Sequence, residues 1–356
     1  QSRSSAASDV YKRQAQKSIV LLKNDGGLLP LDKHLDSIAV IGPNADSVRN
    51  LFGDYAYPAH METLLETINQ ANVFNQPLPD TPVQAIDDFI PAISVLAAIQ
   101  AAVGPHTRVH YARGCGVSDP ATDGFAEAVE AAQRAQVAVV VVGDKAGLTD
   151  DCTCGEARDR ADLALPGVQA QLVRAIYETG TPVVLVLVNG RPVSLGWIAE
   201  AVPAILEAWF PSEEGANAIA DVLFGDVNPG GKLPITFPRS VGQVPIYYGH
   251  RPSGGRSHWK VDYVETSVRP LYPFGYGLSY SRFEFGRLRI EPAAVRVGEE
   301  VTIQVDVTNV GDRAGDEVVQ LYTHQDVPLV TRPVKELRGF KRVTVQPQQT
   351  QTVTFR

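Results

Sequence analysis

The segment Val137–Val142 constrains the fold most: six consecutive apolar residues, five of them valine. A run so short and so rich in β-branched side chains has no polar face to offer water. It reads as a strand buried on both faces, the place strands take in a parallel sheet covered by helices. After it comes a long loop, Gly143–Leu165, reading GDKAGLTDDCTCGEARDRADLAL, and then Pro166-Gly167, where a helical pattern begins. In open α/β sheets ligands bind outside the carboxyl ends of the strands, where this loop must lie. Connections longer than about 12–15 residues are uncommon in compact domains and are usually functional or disordered. The loop holds Glu156 together with Asp150, Asp151, Asp159 and Asp162, and Arg158 and Arg160 are interleaved with them. Taken alone, such a stretch reads as a solvated charged loop. The rest of the chain lifts it above that.

Strand–helix alternation runs from Ala15 to about Ser240. Apolar runs at Ser37–Ile41, Val109–Ala112, Val183–Val188 and Ala204–Trp209 read as further strands. Asp87–Val103, Gly124–Ala135, Gly167–Thr179 and Glu213–Phe224 read as amphipathic helices. In the last, Ala216, Ile219, Ala220, Leu223 and Phe224 recur at helical spacing, and Gly225 supplies a C-cap. Ser212 is placed to cap its start, where Glu213 and Glu214 meet the helix dipole. Asp221 reads as a solvated helix-face residue, and Asp54, in Gly53-Asp54-Tyr55, as a loop carboxylate. The alternation implies βαβ units, hence an α/β fold: a three-layer sandwich around a mostly parallel sheet. No G-x-G-x-x-G follows a strand, and Gly225–Lys232, the nearest echo of a phosphate loop, follows a helix instead.

The texture changes after Pro234. Residues 241–284 read as a strap dense in Pro, Gly and aromatics, among them Tyr247, Tyr248, Trp259, Tyr263, Tyr272, Phe274, Tyr276 and Tyr280. Such a segment cannot be a regular helix, and its aromatic surface is too large for a free linker. From Glu284 the period becomes two: Val301, Ile303, Val305 and Val307 alternate with polar residues, and Thr308–Asp312 makes a turn. The theme continues through Val318–Tyr322 and Val343–Phe355. Short alternating strands between turns indicate an immunoglobulin- or fibronectin III-like β-sandwich. Residues 285–356 supply about seventy of the roughly 100 residues such a sandwich uses, so the expectation is a domain cut at its C-terminal side. The unpaired strand edge left there would favour self-association, so a homo-oligomer is an expected partner state.

Bulk properties narrow the function. At 356 residues the chain suggests one large and one small domain, and 44% hydrophobic with 20% charged residues is ordinary for a globular protein. A net charge of -8 argues against nucleic acid, which needs a clustered basic face. No apolar run approaches the roughly 18 residues of a membrane span. Of the three cysteines, Cys115, Cys152 and Cys154, the last two flank one residue. A structural zinc site wants four ligands at wider spacing, so no metal or other cofactor is expected. Residues 1–14 are polar, without periodicity and without the apolar core of a signal peptide, and are set aside as a leader.

Six stretches, in order, carry a resemblance. They are Ser18-Ile-Val-Leu-Leu-Lys-Asn-Asp25, Ala39-Val-Ile-Gly-Pro-Asn44, Cys154-Gly-Glu-Ala-Arg-Asp-Arg160 with Leu165-Pro-Gly-Val-Gln169, Glu213–Gly225, Asn228-Pro-Gly-Gly-Lys-Leu-Pro234 and Tyr272-Pro-Phe-Gly-Tyr-Gly-Leu-Ser279. Together they make the chain similar to the C-terminal half of a glycoside hydrolase family 3 enzyme, a bacterial β-glucosidase or close relative. The resemblance implies an α/β sandwich over residues 15–240 and a fibronectin type III-like domain over 285–356. It also implies a preceding barrel that carries an aspartate nucleophile, for which this chain offers no candidate.

The resemblance further assigns Glu156 as general acid/base, with a β-linked glycoside or oligosaccharide as substrate. Retaining glycosidases use two carboxyl groups about 5–5.5 Å apart, a nucleophile and an acid that later becomes the base. An acid working near neutral pH needs a raised pKa, which burial under a sugar and repulsion from the nucleophile would provide. Arg158 and Arg160 would oppose this if paired with Glu156. They are expected to engage the neighbouring aspartates or the substrate, with Asp159 a further acid-positioning residue. On a flexible excursion, Glu156 could reach across to a pocket in the barrel. The alternative is a non-catalytic carbohydrate-binding or structural module.

Overall fold

The computed structural model describes residues 5–70, 90–252 and 262–356, in two compact units, Gln1–Val227 and Asn228–Arg356. The first contains α1 (Ser5–Ser18), β1 (Val20–Asn24), β2 (Ser37–Ile41), α2 (Tyr57–Gln70), α3 (Val95–Ala102), β3 (Arg108–Ala112) and α4 (Phe125–Gln133). It continues with β4 (Ala138–Gly143), α5 (Gln169–Tyr177), β5 (Val183–Val188), α6 (Trp197–Ala201), β6 (Ala204–Glu207) and α7 (Gly215–Leu223). The strands form one sheet in the order β1-β6-β5-β4-β2-β3. Only β1, at one edge, runs antiparallel to its neighbour. Helix α7 packs against α1 and α3, and α5 against α4 and α6, so the sheet is the middle layer of an α/β sandwich. Every residue of β2, β4 and β5 is buried, which is why they read as unbroken apolar runs.

Several boundaries differ from the sequence reading, each for a local reason. The leader is helical from Ser5, and Gln1–Ser4 lie outside the described residues. Asp221 is half-buried: it accepts a hydrogen bond from Gln16 at 2.6 Å and pairs with Lys12 at 2.8 Å. Helix α3 begins at Val95, because Ser94 Oγ accepts the Ala97 N–H at 3.2 Å; residues 87–89 lie outside the description. Strand β6 stops at Glu207, since Trp209 adopts a positive φ of 61°. Ser212 does not cap α7 with its hydroxyl. It adopts φ 64° and its carbonyl accepts the Gly215 N–H, while Glu214 occupies the cap position.

The second unit contains β7 (Phe283–Glu291), β8 (Thr302–Asn309), β9 (Gly315–Thr323), β10 (Glu336–Val345) and β11 (Thr350–Phe355). They form two antiparallel sheets, β10-β9 and β11-β8-β7. Val307 and Val353 from one sheet meet Val319 and Val345 from the other in a shared core, as the two-residue period requires. Val343–Phe355 takes in the end of β10 and all of β11, joined by a turn in which the Gln349 N–H returns to the Gln346 carbonyl at 3.1 Å. The aromatic segment closes on itself. Phe237 and Tyr272 form an antiparallel bridge, Tyr248 stacks on Phe274 at 4.4 Å and Tyr272 on Tyr276 at 5.3 Å. Trp259 lies outside the described residues.

Leu185, fully buried in β5 between β4 and β6, reports on the sandwich core. Leu185→Ala should cost about 2–5 kcal/mol of stability, read from urea unfolding midpoints. A loss within experimental error would contradict a strand covered on both faces.

Candidate active site

The chain passes from β2 to β3 on one side and then crosses to β4 on the other, so the order reverses between β2 and β4. In open α/β sheets the crevice at that switch point is the ligand site. Two loops meet there, residues 42–56 after β2 and 144–168 after β4.

The second loop is anchored by a buried charge. Asp144, the first residue past β4, has no solvent exposure. Its Oδ1 accepts from Thr153 Oγ1 at 2.7 Å and from Arg191 Nη2 at 2.6 Å. Burial pushes this carboxyl above its ordinary range, with the Arg191 charge pulling in the opposite direction. The Thr153 contact starts a short ladder: Thr153 N–H to the Lys145 carbonyl at 2.9 Å, and Gly147 N–H to the Cys154 carbonyl at 3.0 Å. Beside it, Lys145 Nζ pairs with Glu62 and Asp151, both at 2.6 Å. Arg49 reaches the same Glu62 at 2.8 Å and the Ala146 carbonyl at 2.7 Å. These contacts tie α2 and the β2 loop to the β4 loop.

Glu156 follows directly on that ladder and is exposed. Gly155 has φ 133°, and a Cβ there would lie 2.6 Å from the Gly147 carbonyl oxygen and 3.1 Å from Asp54 Cγ, so the turn needs glycine. The Glu156 N–H donates to Asp54 Oδ2 at 2.7 Å, and the Tyr55 hydroxyl donates to Glu156 Oε2 at 3.2 Å. The Glu156 charge, and the hydrogen bond to it, push the Tyr55 phenol above its ordinary value. Asp54 Oδ1 is buried and has no hydrogen-bond partner among the described residues.

Arg158, Asp159 and Arg160 are not partners of Glu156 among the described residues. Arg158 donates to the carbonyls of Asp150 at 2.5 Å and Cys152 at 3.2 Å, and lies 3.6 Å from the Asp150 carboxylate. Arg160 donates to the Ala164 carbonyl at 3.4 Å, and Asp159 is exposed. Asp54 and Tyr55 are brought to Glu156 from about a hundred positions away, and no local sequence signal links them. Among the described residues no group of three or more His, Cys, Asp or Glu is placed to hold a metal ion. Burial pushes the Cys154 thiol up to about 12 and the Cys115 thiol up to about 11, which keeps both protonated, whereas a metal takes the thiolate.

Comparison with known proteins identifies the family. Residues 19–280 match the model of the glycosyl hydrolase family 3 C-terminal domain, and residues 317–356 match a fibronectin type III-like domain. The chain belongs to glycosyl hydrolase family 3. It is 43% identical over 343 residues to a β-xylosidase of Formosa agariphila, covering 96% of this chain and 43% of that protein. It is 39% identical to a periplasmic β-glucosidase of Salmonella typhimurium, covering 96% of this chain and 44% of the relative. The chain therefore spans less than half the length of these curated relatives. Among solved structures, a β-glucosidase from Erythrobacter marinus superposes with a TM-score of 0.82 at 36% identity, over 99% of this chain and 45% of that one. A Listeria innocua β-glucosidase variant in complex with laminaribiose gives 0.80 at 31%, over 99% and 44%.

A second buried acid lies at the end of β6. Glu207 has no exposure, and its oxygens accept from the Trp209 N–H at 2.9 Å and Asn189 Nδ2 at 3.2 Å. Burial pushes it well above its ordinary value of 4.5. The native state thus holds a proton that the unfolded chain releases. The resulting stability is full below about pH 4.5 and is lost as pH rises through the folded pKa. Glu207→Gln, neutral at every pH, should flatten that decline. Urea midpoints between pH 5 and 8 test this. Identical pH slopes in both proteins would show that Glu207 does not hold its proton.

Proposed function

We propose that the chain contributes the general acid/base of a retaining exo-β-glycosidase acting on terminal β-linked sugars, with Glu156 in that role. One observation carries the reading: the Glu156 side chain is exposed on the loop after β4, while its backbone and one carboxylate oxygen are held by Asp54 and Tyr55 from the loop after β2. That is the arrangement proton transfer needs, a reachable acid with a fixed origin. The Listeria β-glucosidase described in complex with laminaribiose, and relatives named β-glucosidase and β-xylosidase, support a β-glycoside as substrate.

In this reading Glu156 protonates the glycosidic oxygen as the bond to the sugar breaks. It then takes a proton from the water that releases the sugar from the nucleophile. The nucleophile comes from a barrel domain outside this chain. Asp54 is a poor candidate for it, because one oxygen is occupied by the Glu156 N–H and the other is buried. Arg158 and Arg160 serve the loop through backbone carbonyls, and Asp159 is exposed enough to meet substrate.

The chain by itself should not turn over aryl β-glycosides, since this reading places the nucleophile in the barrel. Turnover above background that Glu156→Gln abolishes would reveal a nucleophile within it.

In the full-length enzyme, Glu156→Ala should slow substrates with poor leaving groups by roughly 10²–10⁴-fold. Substrates with good leaving groups need no protonation, so their first step should be nearly spared and the glycosyl-enzyme should accumulate. Azide, a nucleophile that needs no base, should restore turnover and yield a β-glycosyl azide. A small, uniform effect without azide rescue would mean a merely solvated loop glutamate, and Asp159 would become the next acid to test.

A further inference from the structure

Asp54 and Glu156 stand 102 residues apart in sequence, one on the loop after β2 and the other on the loop after β4. Asp54 Oδ2 accepts the Glu156 N–H at 2.7 Å. A hydrogen bond from a backbone N–H to an ionised carboxylate is shorter and stronger than a neutral one. Keeping a carboxylate with its other oxygen buried and unpartnered is unfavourable, so a neutral side chain would suit the site better if folding alone mattered.

The loop carrying Asp54 is itself fixed. The Leu51 carbonyl accepts the Ser212 N–H at 2.9 Å, and the Ala56 N–H returns to the Gly53 carbonyl at 3.2 Å. Arg49 holds the Ala146 carbonyl of the opposite loop at 2.7 Å. Two bridges, Arg49–Ala146 and Asp54–Glu156, therefore span the switch point. The second ends on the peptide from which the acid side chain projects. The next residue, Tyr55, reaches the far end of the same side chain through its hydroxyl at 3.2 Å.

We propose that Asp54 is a positioning residue for the Glu156 acid/base, fixing its backbone while Tyr55 steadies the carboxylate. The inference rests on the reading of Glu156 as the acid/base. An acid held at both ends is already oriented when the substrate arrives, and a displacement of about 1 Å at such a group costs on the order of 10²-fold in rate. Asp54 works through the peptide N–H and not through the substrate.

Two measurements test it. In this chain, the Glu156 amide should be protected in NMR hydrogen exchange, and Asp54→Ala should lose that protection. An unprotected wild-type amide would overturn the proposal without any variant. In the full-length enzyme, Asp54→Ala should lower kcat on poor leaving groups by about 10–10²-fold with KM little changed, and spare good leaving groups. Asp54→Asn, whose side-chain oxygen can still accept the N–H, should recover most of the loss. Glu156→Ala, run in parallel, separates the two ideas. If it shows no leaving-group dependence, the acid/base reading fails. If it does, while Asp54→Ala slows both substrate classes equally or Asp54→Asn recovers nothing, positioning by Asp54 is wrong and the acid/base reading stands.

Discussion

The geometry of the site depends on one buried charge, Asp144. Strand β4 leaves the sheet with both faces covered, and its first residue outside is a carboxylate with no water to solvate it. Burying an ionised group costs several kcal/mol unless charge and hydrogen bonds compensate. Arg191 supplies the charge and Thr153 a hydroxyl, and both go to the same oxygen. Because Thr153 lies nine residues further on, satisfying Asp144 forces the chain to double back and form the ladder with Lys145 and Gly147. Glu156 stands three residues beyond Thr153. A loop that composition alone would leave to solvent thereby acquires a fixed shape.

The architecture was legible because burial on both faces leaves a one-dimensional trace. Ser37–Ile41 and Val183–Val188 are strands with the bounds their apolar runs announce. Strand β1 is not legible in the same way: it is an edge strand whose partner is β6, about 180 residues away, and its motif carries the family resemblance without declaring a conformation. Helix starts were read less well, because Ser212 and Ser94 are both serines before apolar stretches, yet only Ser94 has extended backbone that turns its hydroxyl to the helix. Ser212, at φ 64°, cannot do so.

The partners of Glu156 were hidden for a different reason. Motif reading looks for the residues that act with Glu156 among Arg158, Asp159 and Arg160 on its own loop, the arginines engaging aspartates or substrate and Asp159 positioning the acid. On a tight turn, consecutive side chains diverge, and Arg158 folds back onto the carbonyls of Asp150 and Cys152. The groups that touch Glu156 come from the loop after another strand, brought near by the sheet order. Gly155, at φ 133°, leaves room for Asp54 against the peptide, a need that its place in the sequence does not announce.

The role proposed for Glu156 would require one domain to lend an acid to another. A glutamate on a flexible excursion would have to be ordered each time substrate arrived, and rotamer and backbone entropy would count against the transition state. Here the excursion is held at Asp144, at Arg49 and at Asp54, by contacts within the chain that need no substrate. The carboxylates then divide by environment. Asp144 and Glu207 are buried, raised by that burial and spent on holding strand ends together. Glu156 alone projects outward from the scaffold they fix. A carboxyl group has the same intrinsic chemistry in all three places, and its distance from water decides whether it is tied up in the fold or left open to proton transfer.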